Sequence, residues 1–201
     1  MIRKQDEIRN LVWARLSPVV AMVLVLAASG CAPQTGVADE EAEGGVEADA
    51  AAVAIASAES AAPTSVTADA TIKDADGTVL REGTNSYICY PQQEIIGPMC
   101  NEAVWDELIG AMLKKQEFSS DKFSVSYMLA GEGTAIGVSN SDPYATDPSS
   151  SDDWIKEGPH LMIVVPDPAM LEGLSRDPND PVYVMWGDTQ YAHIMVKVAE
   201  E

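Results

Sequence analysis

Basic residues are scarce in this 201-residue chain, where 12 Lys and Arg stand against 32 Asp and Glu for a formal net charge of −20. A surface of that sign repels phosphate backbones, which argues against a nucleic-acid partner. Histidine occurs only at 160 and 193, so chemistry that needs an imidazole must use one of those two positions. Generic catalytic signatures are missing: there is no G-x-S-x-G, no H-E-x-x-H and no phosphate loop. No apolar run reaches the roughly 20 residues of a membrane-spanning helix. The longest, Val19 to Ala28 (VVAMVLVLAA), has ten. Aromatic residues are 6% of the chain and none lies between positions 32 and 67. That stretch therefore has nothing large to bury.

What the chain does have is a strongly polarised start. Arg3, Lys4, Arg9 and Arg15 precede the ten-residue apolar run, and Ser29-Gly30-Cys31 comes directly after it. This is the length and charge order of an export signal. The small residues Ala28, Ser29 and Gly30 before a cysteine resemble the lipobox of bacterial lipoproteins. Two features depart from that pattern: Ala28 stands where leucine is commonest, and the segment before the apolar run is longer than usual. The resemblance implies cleavage after Gly30, a diacylglycerol on Cys31 and acylation of the new amino terminus. Lipid on Cys31 would then be the membrane partner, since several acyl chains hold where one is marginal. Ala32 after the lipidated cysteine resembles the pattern sorted to the outer membrane, facing the periplasm or the exterior. The chain after Gly30 keeps 8 basic and 30 acidic residues, a net charge of about −22.

Residues 31–67 read as an acidic tether. Seven acids (Asp39, Glu40, Glu41, Glu43, Glu47, Asp49 and Glu59) and no base lie among Ala, Gly, Ser and Thr. Such a composition is expected to stay disordered, with at most a marginal alanine helix over 50–62. With Cys31 assigned to lipid, Cys89 and Cys100 remain as one possible pair. An extracytoplasmic address favours their disulfide.

The segment 68–201 is long enough for one folded domain. Asp74-Ala75-Asp76-Gly77 between short β-prone runs is a hairpin signal. Residues 81–100 are irregular. A helix is expected over 102–115, capped by Asn101 and burying Trp105, Leu108, Ile109 and Met112. Strand alternation comes next at 122–130, with Phe123, Val125, Tyr127 and Leu129 against Ser124, Ser126, Met128 and Ala130. Gly131, Gly133 and Gly137 loosen the chain beyond that strand, and 139–159 reads as a long loop. His160 to Val165 has the apolar continuity of a central strand. Asp167-Pro168 opens a short helix, and 182–186 and 191–198 read as two closing strands. The fold class is therefore α+β: a small antiparallel or mixed sheet with one main amphipathic helix, one short helix and long irregular loops.

Two strand segments share a triplet, His160-Leu161-Met162 and His193-Ile194-Met195. Residues two apart on a strand face one side, so each histidine shares a face with its methionine. Met185 lies on the preceding strand beside Trp186. Imidazole and thioether donors suit Cu(I). The set His160, Met162, His193 and Met195 resembles the ligands of small periplasmic copper-binding proteins, which sit near a tryptophan. The same residues are also ordinary material for a strand core. The stretches SYMLAG (126–131), SDPYATDP (141–148), PHLMIVVPDPAMLEGL (159–174) and PVYVMWGDTQYAHIMVKV (181–198) resemble a family of bacterial envelope proteins to which no mechanism attaches. No organic cofactor is implied. The leading expectation is a lipid-anchored binding or structural module with an unidentified protein or small-molecule partner. The alternatives are a Cu(I)-binding lipoprotein and a hydrolase with a histidine base.

Overall fold

The computed structural model describes residues 40–199, with side chains from Ala48 onward. The signal segment 1–30, Cys31 and the first part of the tether lie outside the described residues.

The domain is α+β, built on an eight-stranded mixed sheet. In chain order its elements begin with α1 (Glu40–Glu59), α2 (Thr64–Thr67), β1 (Thr71–Lys73), β2 (Val79–Arg81), β3 (Ile88–Tyr90) and β4 (Met99–Asn101). Then come α3 (Ala103–Leu113), β5 (Ser124–Met128), β6 (Val138–Ser139), β7 (Trp154–Ile155), β8 (His160–Val164), β9 (Val182–Met185) and β10 (His193–Lys197). Strand order across the sheet is β2-β1-β3-β4-β5-β8-β10-β9, while β6 and β7 form a separate two-stranded ribbon. Only β1 and β3 run parallel; the other neighbours are antiparallel.

Each face of the sheet carries its own core. The front face packs Met99, Met128, Met162, Val164, Tyr183, Met185 and Met195 against Trp105 and Leu108 of α3. The back face packs Ile72, Cys89 and Cys100 against Ala58 at the end of α1 and Ala61 and Ala62 in the turn just after it. Strand alternation sets this division, since Met99 and Asn101 point forward while Cys100 between them points back.

The disordered tether expected over 31–67 does not hold for its described part. From Glu40 the chain is helical, and Ala58 and Ala61 are fully buried. Lack of bulk is what lets this helix dock, because alanine side chains allow close approach to the sheet. Polar contacts fix the end of the helix: Arg81 pairs with Glu59, and the Gln92 N–H donates to Ser57 Oγ at 3.0 Å. The folded unit thus begins well before residue 68, and α1, not α3, is the longest helix.

Cys89 and Cys100 are directly opposite in the β3–β4 ladder and form a disulfide. Asn101 is not the cap of α3. It ends β4, and its Oδ1 accepts a hydrogen bond from Ser126 Oγ. Glu102 takes the N-cap position without a side-chain cap bond, its carboxylate accepting instead from the Val125 N–H at 2.8 Å. Lys114 and Lys115, expected in the last helical turn, lie just beyond it.

Strand β5 turns its serines inward. Ser124 and Ser126 are buried with Met128, while Val125 and Tyr127 are half-buried on the back. Ser124 is occupied by Trp105, whose N–H donates to Ser124 Oγ and whose Nε1 donates to the Ser124 carbonyl. The glycines after β5 tighten the chain. At Gly131, with φ +61°, a Cβ would sit 2.8 Å from the Glu157 carbonyl. The loop 139–159 is tied down at its ends by the β6–β7 ribbon. Trp186 Nε1 donates to the Ser139 carbonyl at 2.9 Å and Trp154 Nε1 to that of Ile136 at 2.8 Å.

Candidate metal centre

The two His-x-Met triplets lie on adjacent central strands, and both face forward. Met195 of β10 sits directly opposite Met162 of β8. The same ladders put Met128 opposite His160 and Met185 opposite His193. Together with Met99, Trp105 and Trp186 these side chains line one small, mostly enclosed cavity of about 30 Å³. That volume suits a single water-sized or monatomic occupant.

His193 is completely buried. Its Nδ1 lies 2.9 Å from the Tyr191 carbonyl. A carbonyl only accepts, so Nδ1 carries the proton and Nε2 keeps a bare lone pair. That Nε2 is buried and has no hydrogen-bond partner. Indole rings flank the imidazole edge-on, Trp105 at 4.9 Å and Trp186 at 5.1 Å between centroids. Both indole N–H groups are already spent on backbone carbonyls, so neither rescues Nε2. Burial pushes the His193 pKa down to about 4, against a smaller upward pull from the Tyr191 carbonyl; His160 adds a further lowering. The ring is therefore neutral at ordinary pH, the form that binds metals.

His160 is arranged alike. Its Nδ1 lies 2.7 Å from the Gly158 carbonyl, and burial lowers its pKa while Gly158 and Glu157 oppose that shift. The two histidines sit at opposite ends of the methionine pair, because Lys197, four residues from His193, is the residue facing His160. Four residues of strand span about 13 Å. His193, with Met162, Met185 and Met195 around it, is thus the better-placed anchor, and His160 approaches the cavity from the far end.

Two carboxylates also reach the cavity wall. Glu157 is buried, accepts from the Tyr183 hydroxyl at 2.9 Å and pairs with Lys197 at 3.4 Å. Glu132 is buried and accepts from the Gly97 N–H at 2.7 Å. Among the described residues, no three His, Cys, Asp or Glu side chains gather into a metal-binding set. A hard, oxygen-rich site is therefore not built here, and the donors around His193 are thioethers. Cys89 and Cys100 are tied up in the disulfide on the other face.

A hydrolytic site needs a nucleophile or carboxylate within reach of the histidine, in an open cleft. Among the described residues the hydrogen-bond partner of His193 is a backbone carbonyl, and the ring is sealed from solvent. The structure gives the hydrolase reading no support.

All four metal-site residues read from the sequence line the cavity. Met99, Met128, Trp105, Glu132 and Glu157 join them there without being legible as site residues in the sequence. Met128 has a signal, being the one large apolar member of the serine face of its strand. Glu132 has none. No protein-family model, no curated protein and no solved structure matches this chain.

Proposed function

We propose that this chain is a lipid-anchored envelope protein that binds Cu(I) in the front-face cavity through His193 and the surrounding methionines, with His160 at its far end. One observation carries the reading: a fully buried imidazole nitrogen with a free lone pair and no partner, in a cavity walled by thioethers. An unsatisfied buried acceptor costs about 1–3 kcal/mol, and a soft cation bound there would remove that cost. Imidazole with thioethers matches Cu(I), whereas harder divalent ions want more nitrogen or oxygen. The lipobox-like Ala28-Ser29-Gly30-Cys31 supports display from a bacterial membrane, the outer one by the residue at 32. A disulfide in the domain is compatible with that oxidising address.

The test is a Cu(I) titration of the purified protein against a chromophoric Cu(I) chelator. One equivalent is expected to be withheld from the chelator. The double substitution Met162→Leu, Met195→Leu keeps core volume and should weaken binding by more than about tenfold, 1.4 kcal/mol. If the unsubstituted protein takes no copper from the chelator, the reading is wrong. The front face is then a histidine- and methionine-rich core, and the chain a tethered binding or structural module.

A further inference from the structure

The small front-face cavity ends beside a much larger opening on the surface. A cleft of about 780 Å³ is lined by Lys156, Glu157, Gly158, Pro178, Asn179 and Lys197 together with their neighbours. Ile155 and Glu157 line both spaces, so they form the wall between them. The strand ladder fixes which end of the cavity this is. Lys197 faces His160, and His160 holds its Nδ1 on the carbonyl of Gly158 at the cleft's edge. From the cleft inward the order is Lys197 and Glu157, then His160, then the Met162–Met195 pair, then His193.

The backbone of this wall is held firmly. The Glu157 carbonyl accepts the Glu132 N–H at 2.9 Å, and Gly131 packs so close that a Cβ there would sit 2.8 Å from the same oxygen. Its side chains are held less evenly. Glu157 is buried, with the Tyr183 hydroxyl at 2.9 Å on one oxygen and the Lys197 ammonium at 3.4 Å on the other. The ammonium contact is the longer and looser of the two. Lys197 also has a second acceptor, the Pro178 carbonyl at 2.6 Å. With 30% of its side chain exposed, it can leave Glu157 toward the cleft and stay hydrogen-bonded. Glu157 cannot be left alone so cheaply, because a buried carboxylate without a partner charge is costly.

We infer that the Lys197–Glu157 pair is the gate of the metal cavity: an incoming cation replaces the Lys197 ammonium at the Glu157 carboxylate and passes by way of His160 to His193. The inference rests on the Cu(I) reading above. Only a cation can be exchanged for the ammonium without leaving Glu157 unpaired, so the doorway admits cations and gives a neutral molecule no advantage. Two of the eight basic residues after Gly30, Lys156 and Lys197, stand at this one mouth. Their charge opposes entry until the carboxylate is offered.

The test is a stopped-flow measurement on the unsubstituted protein, Lys197→Met and Glu157→Gln. Entry of Cu(I) into the metal-free protein is followed by tryptophan emission, and its withdrawal by the colour of excess chelator. A gate lies on the path and not in the bound site, so changing it shifts entry and exit by the same factor and leaves the equilibrium affinity as it was. Lys197→Met removes the plug and leaves Glu157 to draw the cation in; both rates should rise at least about fivefold. Glu157→Gln keeps shape and the acceptor for Tyr183 but leaves an unbalanced ammonium in the neck; both rates should fall at least about fivefold. The opposite signs separate a gate from a loosened core, which would speed both variants. Any other pattern of rates, or a fall in equilibrium affinity in either variant, would overturn the inference and leave the Cu(I) reading standing. If one variant does not fold, the direction of the other decides. Failure of the unsubstituted protein to bind Cu(I) would overturn that reading itself, and the gate with it.

Discussion

His193 is held by one backbone carbonyl and two indole rings, and this arrangement has consequences for both pH and light. Its pKa in the fold is depressed to about 4 from 6.5, chiefly by burial. The stability this residue contributes is therefore present above pH 6.5 and lost as acid protonates the unfolded chain first. Burial pushes the Glu132 carboxyl up to about 7, which favours the fold as pH falls through the same window. The His193 effect is therefore read as a difference: relative to His193→Leu, the metal-free unsubstituted protein should lose stability as pH falls from about 6.5 toward 4. Thermal unfolding across the window checks it. Asp76, Asp147 and Asp177 have pKa values lowered by local hydrogen bonds from Thr78, Ser149 and Asn179, so their effect falls at lower pH and is separable. Trp105 and Trp186 flank the ring at 4.9 and 5.1 Å. Cu(I) bound at Nε2 should change tryptophan emission in proportion to occupancy, and a titration with no change would count against His193 as the ligand.

Among the elements, α1 carries the main departure from expectation. A chain shortened to begin at Ala68 loses the helix that covers Ile72, Cys89 and Cys100 on the back face. It should unfold at a clearly lower temperature than a chain beginning at Glu40, and equal midpoints would show that α1 contributes nothing. The disulfide between β3 and β4 closes a short loop, with a sequence separation of 11. Breaking it should cost about 3 kcal/mol by the chain-entropy relation, measurable by denaturant unfolding with and without reductant.

These elements also show what the sequence can and cannot reveal. Strands β8, β9 and β10 are legible because apolar continuity and a short connecting turn are local signals. The same-face placement of each histidine with its methionine comes from period two. The adjacency of β8 and β10 is not legible, because it depends on β9 taking the sheet edge, a long-range choice. Helix α1 is hidden because alanine-rich, acidic sequence scores as solvated; its docking depends on small size, not on hydrophobic bulk. The serine face of β5 turns inward because Trp105 and Asn101 supply its hydrogen bonds, and neither partner is visible within the strand. Glu132 is illegible for the same reason: its burial is decided by Gly97, 35 residues away.

For the whole molecule, charge and the proposed lipid attachment are the properties to test. A net charge of about −22 after Gly30 gives the domain no attraction to anionic lipid, so membrane association should depend on Cys31 alone. Cys31→Ser is expected to move the protein from the membrane fraction to the soluble one in the native host. Retention in the membrane fraction would contradict lipid anchoring.

The most direct measurement is a methionine-methyl NMR spectrum of ¹³C-labelled protein, recorded before and after one equivalent of Cu(I). Met162, Met185 and Met195 are buried beside His193, whereas Met170 is half exposed on a turn. The account expects the buried methyl resonances to shift on binding while that of Met170 stays in place. Shifts confined to exposed methionines, or no shift at all, would contradict a metal centre in the core.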